Sequence, residues 1–258
     1  MRIIISGYGY VGKATELVLQ SFCKPLTGLE VQDPPLGRAA LGWDDAAFHI
    51  VCVPTPSIND DSGTPAHDMS IVRTAILHAN HSGFKGRTVI RSTMSPKDLA
   101  NIITEFDDVI YWPEFLREAT WQDDAINPIV SVMGGTHASE LYVALMPYCR
   151  SYMATAVSAC MVKLTINSIL AMQTIVGHDV KKACDAMDID SHEVWEFVKH
   201  DPRIGKGHFT QPGPDGKWGF GGNCLPKDTA AMAHLLSDIN VTSNYAEYAT
   251  MRNKSIRP

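Results

Sequence analysis

Short apolar runs and longer amphipathic stretches take turns along the first half of the chain. Arg2 to Ser6 is a β-branched run with strand character. Ala14 to Gln20 follows with helical spacing, and Val11, Leu17 and Val18 share its apolar face. Leu29 to Gln32 reads as a second strand. His49 to Val53 reads as a buried third, stopped by Pro54-Thr55-Pro56. Asn59 to Pro65 is rich in turn residues. Asp68 to Asn80 has the spacing of a helix with Ile71, Ile76 and Leu77 inward. Arg87 to Arg91 is a strand that ends at Ser92-Thr93. Ser95 then suits a helix N-cap and Pro96 its first turn. Asp108 to Trp112, Ile129 to Met133 and Tyr152 to Val157 complete the strands, around a helix at Ser139 to Met146. Strand–helix units of this size predict an α/β fold, a Rossmann-type doubly wound and mostly parallel sheet, over residues 1–156.

The rhythm changes after that. Val157 to Met187 is helical and apolar on more than one face, through Met161, Leu164, Ile169, Leu170, Met172 and Ile175. Such a helix is expected to be buried, here against a partner subunit. Ser191 to Lys199, Thr229 to Leu236 and Tyr245 to Ile256 read as further helices. Residues 157–258 are thus expected to form a mostly helical domain with a long central helix.

Composition narrows the class. The 258 residues suffice for one large domain or two smaller ones, and 45% hydrophobic with 19% charged content fits a soluble protein. A net charge of -6 implies no general affinity for nucleic acid or anionic membrane. Six cysteines are scattered without metal-like pairing, so no metal site is expected. The chain enters a strand directly from Met1, with no sign of a targeting segment. No apolar run stands out as long enough to span a membrane. The expectation is a cytoplasmic protein with reduced thiols.

Gly7-Tyr8-Gly9-Tyr10-Val11-Gly12 sits between the first strand and first helix, the context that a dinucleotide-binding loop requires. Gly7 permits the tight turn, Gly9 the approach of a pyrophosphate, and Gly12 the packing of helix on strand. Asp33 ends the second strand and is placed to accept hydrogen bonds from a ribose, which favours NAD over NADP. Glu30 and Asp44 are the alternative acids.

Two further patterns carry chemistry. Trp218 to Thr229 reads Trp-Gly-Phe-Gly-Gly-Asn-Cys-Leu-Pro-Lys-Asp-Thr. It places Cys224 before a helix start, with Lys227 and Asp228 close behind. A helix start and a cation both favour a thiolate. The plainer reading is a buried thiol in a glycine-rich loop. Lys163 and Asn167 lie four apart on the apolar helix and share a face. They fit a pair donating to one oxygen, or a snorkelling lysine beside a solvated neighbour.

In combination these stretches resemble the UDP-glucose/GDP-mannose dehydrogenase family of nucleotide-sugar 6-dehydrogenases. The resemblance covers nearly the whole chain. It implies that Cys224 is the catalytic nucleophile, with Lys163 and Asn167 as an oxyanion site. Asp228 and Thr93, from Ile90-Arg91-Ser92-Thr93, would manage water. Pro113-Glu114-Phe115-Leu116-Arg117-Glu118 resembles a loop whose Glu114 assists proton transfer and whose Glu118 lies by the nicotinamide. Cofactor contacts would come from Gly7 to Gly12, Asp33, Val53, Pro54, Thr55, Thr93, Glu118 and Lys227. Substrate contacts would come from Phe115, Leu116, Arg117, Lys163, Asn167, Phe220, Gly221 and Cys224. Asp201-Pro202-Arg203-Ile204-Gly205 is similar to a segment whose arginine reaches the partner subunit's sugar site, so a homodimer is implied. The implied reaction is NAD-dependent, four-electron oxidation of a nucleotide sugar at C6, UDP-glucose first. The alternatives are a two-electron β-hydroxyacid-type dehydrogenase and a non-catalytic NAD-binding or split subunit. Family members typically continue with a second Rossmann-like domain, so the chain ending at Pro258 resembles a short form with weaker nucleotide affinity.

Overall fold

The β-branched runs do become strands, because Ile3 to Ile5 favour extended backbone. In the computed structural model, residues 1–32, 42–59, 65–145, 150–205, 207–222 and 224–257 are described. The elements run β1 (Arg2–Ser6), α1 (Tyr10–Phe22), β2 (Gly28–Gln32), β3 (Ala46–Val51), β4 (Ser57–Asn59) and β5 (Pro65–His67). Next come α2 (Ser70–His81), β6 (Arg87–Ile90), α3 (Pro96–Glu105), β7 (Ile110–Tyr111), a 3-10 turn (Glu118–Thr120) and α4 (Trp121–Ile126). Then follow β8 (Val132–Gly134), α5 (Ala138–Ala144), β9 (Tyr152–Ala154), α6 (Ala156–Ala186), α7 (Ser191–Val198), α8 (Leu225–Asp238) and α9 (Tyr245–Ile256).

Seven strands form one sheet in the order β2-β1-β3-β6-β7-β8-β9. The first five are mutually parallel. β8 runs antiparallel to β7, and β9 parallel to β8. The order reverses at β1, which has β2 on one side and β3 on the other. Open α/β sheets bind ligands outside such a switch point. Side chains alternate between two buried layers, as period two demands. Ile50, Val89, Ile110 and Met133 pack with Val18 and Leu19 of α1. Their neighbours Val51, Ile90, Tyr111 and Val132 pack with Val72, Leu99 and Ile102 on the other face.

The chain divides into two compact units. The first is Met1–Ile58 with His67–Lys163, and the second is Asn59–Ala66 with Leu164–Pro258. The division between these units falls inside α6. Ala156, Ala159 and Cys160, in the first turns of α6, belong to the apolar layer of the sheet. In the second unit Leu164 packs with Ala231, Met232 and Ala246.

Several expectations are corrected. Leu77 is 42% exposed. The buried stripe of α2 is Val72, Ala75, Ile76 and Ala79, and Leu77 falls outside that i, i+3, i+4, i+7 set. The turn-rich stretch after Pro56 has strand at both ends, since β4 pairs with β5. The 31-residue α6 does contain a stretch long and apolar enough to cross a membrane by length and composition. Half of that stretch is buried within the protein. The helix also buries polar side chains that bond to protein groups, Lys163 and Ser168 among them. Those are the features of a core helix. The N-cap at Ser95 is as expected: its Oγ accepts the Asp98 N–H at 3.1 Å.

His49 of β3 is fully buried and shares a 2.9 Å hydrogen bond between Nε2 and Ser6 Oγ. Trp43 and Phe84 meet its ring edge-on, at 5.0 and 5.8 Å between centroids. Burial, with repulsion from His78 second, pushes its pKa down from 6.5 to about 3. Between those values the unfolded chain binds a proton that the folded chain refuses. His49 therefore costs stability as pH falls through this window, by up to about 1.4 kcal/mol per pH unit. Urea midpoints from roughly pH 7 to pH 4 measure this. His49→Gln should flatten the acid-side slope relative to the natural chain. Equal slopes would contradict the assignment.

Candidate active site

Gly7 follows β1 with φ +92, a conformation that glycine adopts freely. A Cβ there would meet the Cys52 carbonyl at 2.6 Å, and one at Gly12 would meet the Gly7 carbonyl at 2.1 Å. These two glycines bring the loop, α1 and the end of β3 into contact. Gly9 has nothing within 4 Å of a Cβ position, so the space above the loop is open. Gly9 is the N-cap of α1, without a side-chain cap, and no acidic residue stands in the first turn. An uncapped helix start facing open space suits a pyrophosphate. The residues present thus fit a dinucleotide. Tyr8 donates to Glu16 and carries the Lys13 ammonium 5.8 Å from its ring centroid. Tyr10 is 51% exposed and meets Trp121 edge-on. Val11 packs against the core. Asp33, the expected ribose acid, lies outside the described residues.

The strand ends beside this loop are tied together. Thr55 Oγ1 donates to the Thr93 carbonyl at 2.6 Å, and Ser92 Oγ donates to the Val53 carbonyl at 2.7 Å. Val53 and Thr55 are buried and Pro54 is exposed. Cys52 is a core thiol, pushed up to about 11 by burial. Thr93 is half-buried and stands just before the α3 cap.

Glu114 and Lys163 meet in the first unit. Lys163 Nζ donates to Glu114 Oε1 at 2.9 Å and to the Glu114 carbonyl at 2.6 Å. Both residues are buried, at 5% and 2% exposure. Burial alone would raise the Glu114 carboxyl. Lys163, the Leu116 N–H and Arg91 outweigh it and hold the group below the usual carboxylate range. The Lys163 ammonium also stands 5.4 Å from the Phe115 ring centroid. The following loop is fixed by a residue that sequence reasoning missed, Asp124. Its carboxylate accepts the Arg117 N–H at 2.8 Å, the Arg117 guanidinium at 2.5 Å and the Thr120 hydroxyl at 3.0 Å. Leu116 is half-buried, and Glu118 is exposed at the start of the 3-10 turn.

Asn167 and Asp228 meet in the second unit. Asn167 Nδ2 donates to Asp228 Oδ2 at 2.6 Å, and Asp228 is fully buried. Lys163 and Asn167 therefore each donate to a carboxylate, Glu114 and Asp228 respectively. Buried donors on an apolar helix require acceptors of their own. Cys224 is exposed, forms no disulfide and is the N-cap residue of α8. Lys227 and Asp228 lie in the next turn, and Pro226 opens the helix as expected. Phe220 is only 4% exposed and packs on Ala171, Ile175 and Ala249. Its ring is a core group. Gly221 lies against Arg257, whose guanidinium carbon would be 2.4 Å from a Cβ there. Arg203 is exposed and paired with Asp201 at 2.5 Å.

Residues 39–148 match the UDP-glucose/GDP-mannose dehydrogenase family, NAD binding domain, and residues 157–255 match the central domain of that family. The UDP-glucose 6-dehydrogenase AglM of Haloferax volcanii is 30% identical over 76% of this chain and 50% of its own length. The GDP-mannose 6-dehydrogenase of Pseudomonas savastanoi pv. phaseolicola is 27% identical over 93% of this chain and 65% of its own. The chain thus spans about half to two thirds of these relatives. A UDP-glucose dehydrogenase structure from Pyrobaculum islandicum shares the fold, with a TM-score of 0.78 over 98% of this chain and 68% of that one, at 21% identity. The chain belongs to the UDP-glucose/GDP-mannose dehydrogenase family, of which it carries the NAD-binding and central domains.

Proposed function

We propose that this chain performs an NAD-dependent, four-electron oxidation of a nucleotide sugar at C6, with UDP-glucose as the first substrate to test. The observation that carries this reading is the α8 start. There an exposed Cys224 precedes Lys227, and Asp228 is buried and bonded to Asn167. A simple alcohol dehydrogenase needs no thiol at that place.

NAD, held on Gly7 to Gly12 with Asp33 at its ribose, would supply the hydride acceptor. The chain's own groups do the rest. Glu114 is an ionised carboxylate and can accept the proton of the C6 hydroxyl. Oxidation to the aldehyde makes C6 electrophilic. The Cys224 thiolate adds to that carbon and gives a thiohemiacetal. Lys163 and Asn167 stabilise the oxygen as it gains charge. Loss of a second hydride, for which a second NAD would be the acceptor, leaves a thioester. Water, positioned by Asp228 and Thr93, adds to the thioester, and the acid and the Cys224 thiol separate. Glu118 and Lys227 would line the cofactor, and Phe115, Leu116 and Arg117 the substrate. The reading includes a cytoplasmic setting, which suits cysteines that form no disulfide among the described residues.

The reading extends to a homodimer. Met161, Ile169 and Val176 are exposed apolar side chains along α6, and Arg203, beyond α7, is exposed. A partner copy covering α6 would bury them, and Arg203 would serve the partner's sugar site.

Four outcomes follow. Purified protein with NAD and UDP-glucose, GDP-mannose and UDP-N-acetylhexosamines should yield two NADH per acid on one of these sugars. Cys224→Ser should lower acid formation by at least about a thousand-fold and leave NAD affinity within about two-fold. Normal acid yield from the variant would promote a two-electron dehydrogenase, and NAD binding without turnover would favour a non-catalytic subunit. NAD should bind at least about ten-fold more tightly than NADP if Asp33 repels the 2′-phosphate, and equal affinities would show it misassigned. Sedimentation at micromolar concentration should give a dimer. A monomer throughout would leave Arg203 without its role.

A further inference from the structure

Phe220 is held from two sides. Its ring lies in the cluster of Ala171, Ile175 and Ala249. Its peptide groups are held by one side chain. Asn253 Oδ1 accepts the Phe220 N–H at 2.8 Å, and Asn253 Nδ2 donates to the Phe220 carbonyl at 2.9 Å. An amide side chain thus takes the part of a neighbouring β-strand. Asn253 belongs to the buried face of α9, with Ala246 and Ala249. The Gly219 N–H donates to Gln211 Oε1 at 2.9 Å, and a Cβ at Gly219 would stand 2.4 Å from Asn253 Oδ1. The fit of α9 against this stretch is close.

From Phe220 the chain passes Gly221 and Gly222, the latter with φ +74, and reaches Cys224. Leu225, the next residue, packs into the same apolar cluster as Phe220. Phe220 and Leu225, on either side of the thiol, therefore share one cluster. Gly221 and Gly222 add little stiffness of their own. The Leu225 end is fixed by α8, and the Phe220 end by Asn253.

We propose that Asn253 is a positioning residue for Cys224, acting through the main chain of Phe220. The task requires one acceptor and one donor on a short side chain. Aspartate keeps the acceptor and loses the donor, and serine reaches neither group in the same way. The kinetic consequence rests on the thioester chemistry proposed above, but the placement of the thiol does not.

Asn253→Asp and Asn253→Ser in the full chain test it in two ways. The first is the rate at which iodoacetamide alkylates Cys224 at neutral pH, followed by peptide mass. The helix start favours the thiolate, so a displaced thiol should react at least about five-fold more slowly. The second is a single turnover with NAD and the sugar that the natural chain oxidises. The first NADH phase and NAD affinity should stay within about two-fold. The second phase should slow by at least about ten-fold, with free aldehyde released. Near pH 5, protonation of the new aspartate restores a donor, and its deficit against the natural chain should narrow. A general folding defect would not recover in acid, and melting temperatures show whether each variant is folded. A folded variant with alkylation within about two-fold of natural, and an unslowed second phase, would overturn the proposal. If the natural chain oxidises no nucleotide sugar, the proposed function falls, and the alkylation rates still decide the role of Asn253.

Discussion

A cation on an apolar helix must meet its counter-charge before the helix can be buried. Lys163 imposes that condition on the first unit. Its ammonium is bonded twice to Glu114, at the side chain and at the carbonyl. Glu114 must then stand at one place beyond the end of β7. The loop that carries it is tied in turn to Asp124 through Arg117. Removing Lys163 or Glu114 alone would strand a buried charge, which costs more than the pair contributes. The sheet end, the loop and the start of α6 are therefore one polar framework in an apolar surround. The same framework keeps Glu114 ionised, the form in which it can accept a proton.

The second unit follows a related rule with neutral amides. Asn167 satisfies the buried Asp228, and Asn253 satisfies both main-chain groups of Phe220. Each amide lies inside a helix, where asparagine is a poor helix former. Each is tolerated because its bonds replace water that burial removed. Cys224 is left exposed between anchored neighbours. A thiol so placed is open to reagents and still fixed in position, as a nucleophile needs to be.

Local features were the legible ones. The Gly7 to Gly12 loop, the Ser95 cap, the Pro226 helix start and the bounds of α9 each follow from a few adjacent residues. Long-range features were not. No spacing tells that Lys163 finds Glu114 while Asn167 finds Asp228, since those acids lie far away in sequence. Asp124 reads as an ordinary first-turn helix acid until Arg117 is seen to fold back on it. Asn253 had a faint signal, a poor helix former amid a helical pattern, and only the fold shows its use. Nor does the glycine-rich motif tell that the Phe220 ring packs in the core. The direction of β8 was likewise hidden, because apolar alternation is the same in either sense.

The central claim is that a thioester forms on Cys224. Acid quench during the first turnover, with NAD and the sugar that the protein oxidises, followed by peptide mass spectrometry, tests it most directly. The proposed chemistry predicts a sugar acyl adduct on the Cys224 peptide that is lost on treatment with hydroxylamine. Sugar acid formed with Cys224 unmodified throughout the turnover would contradict it.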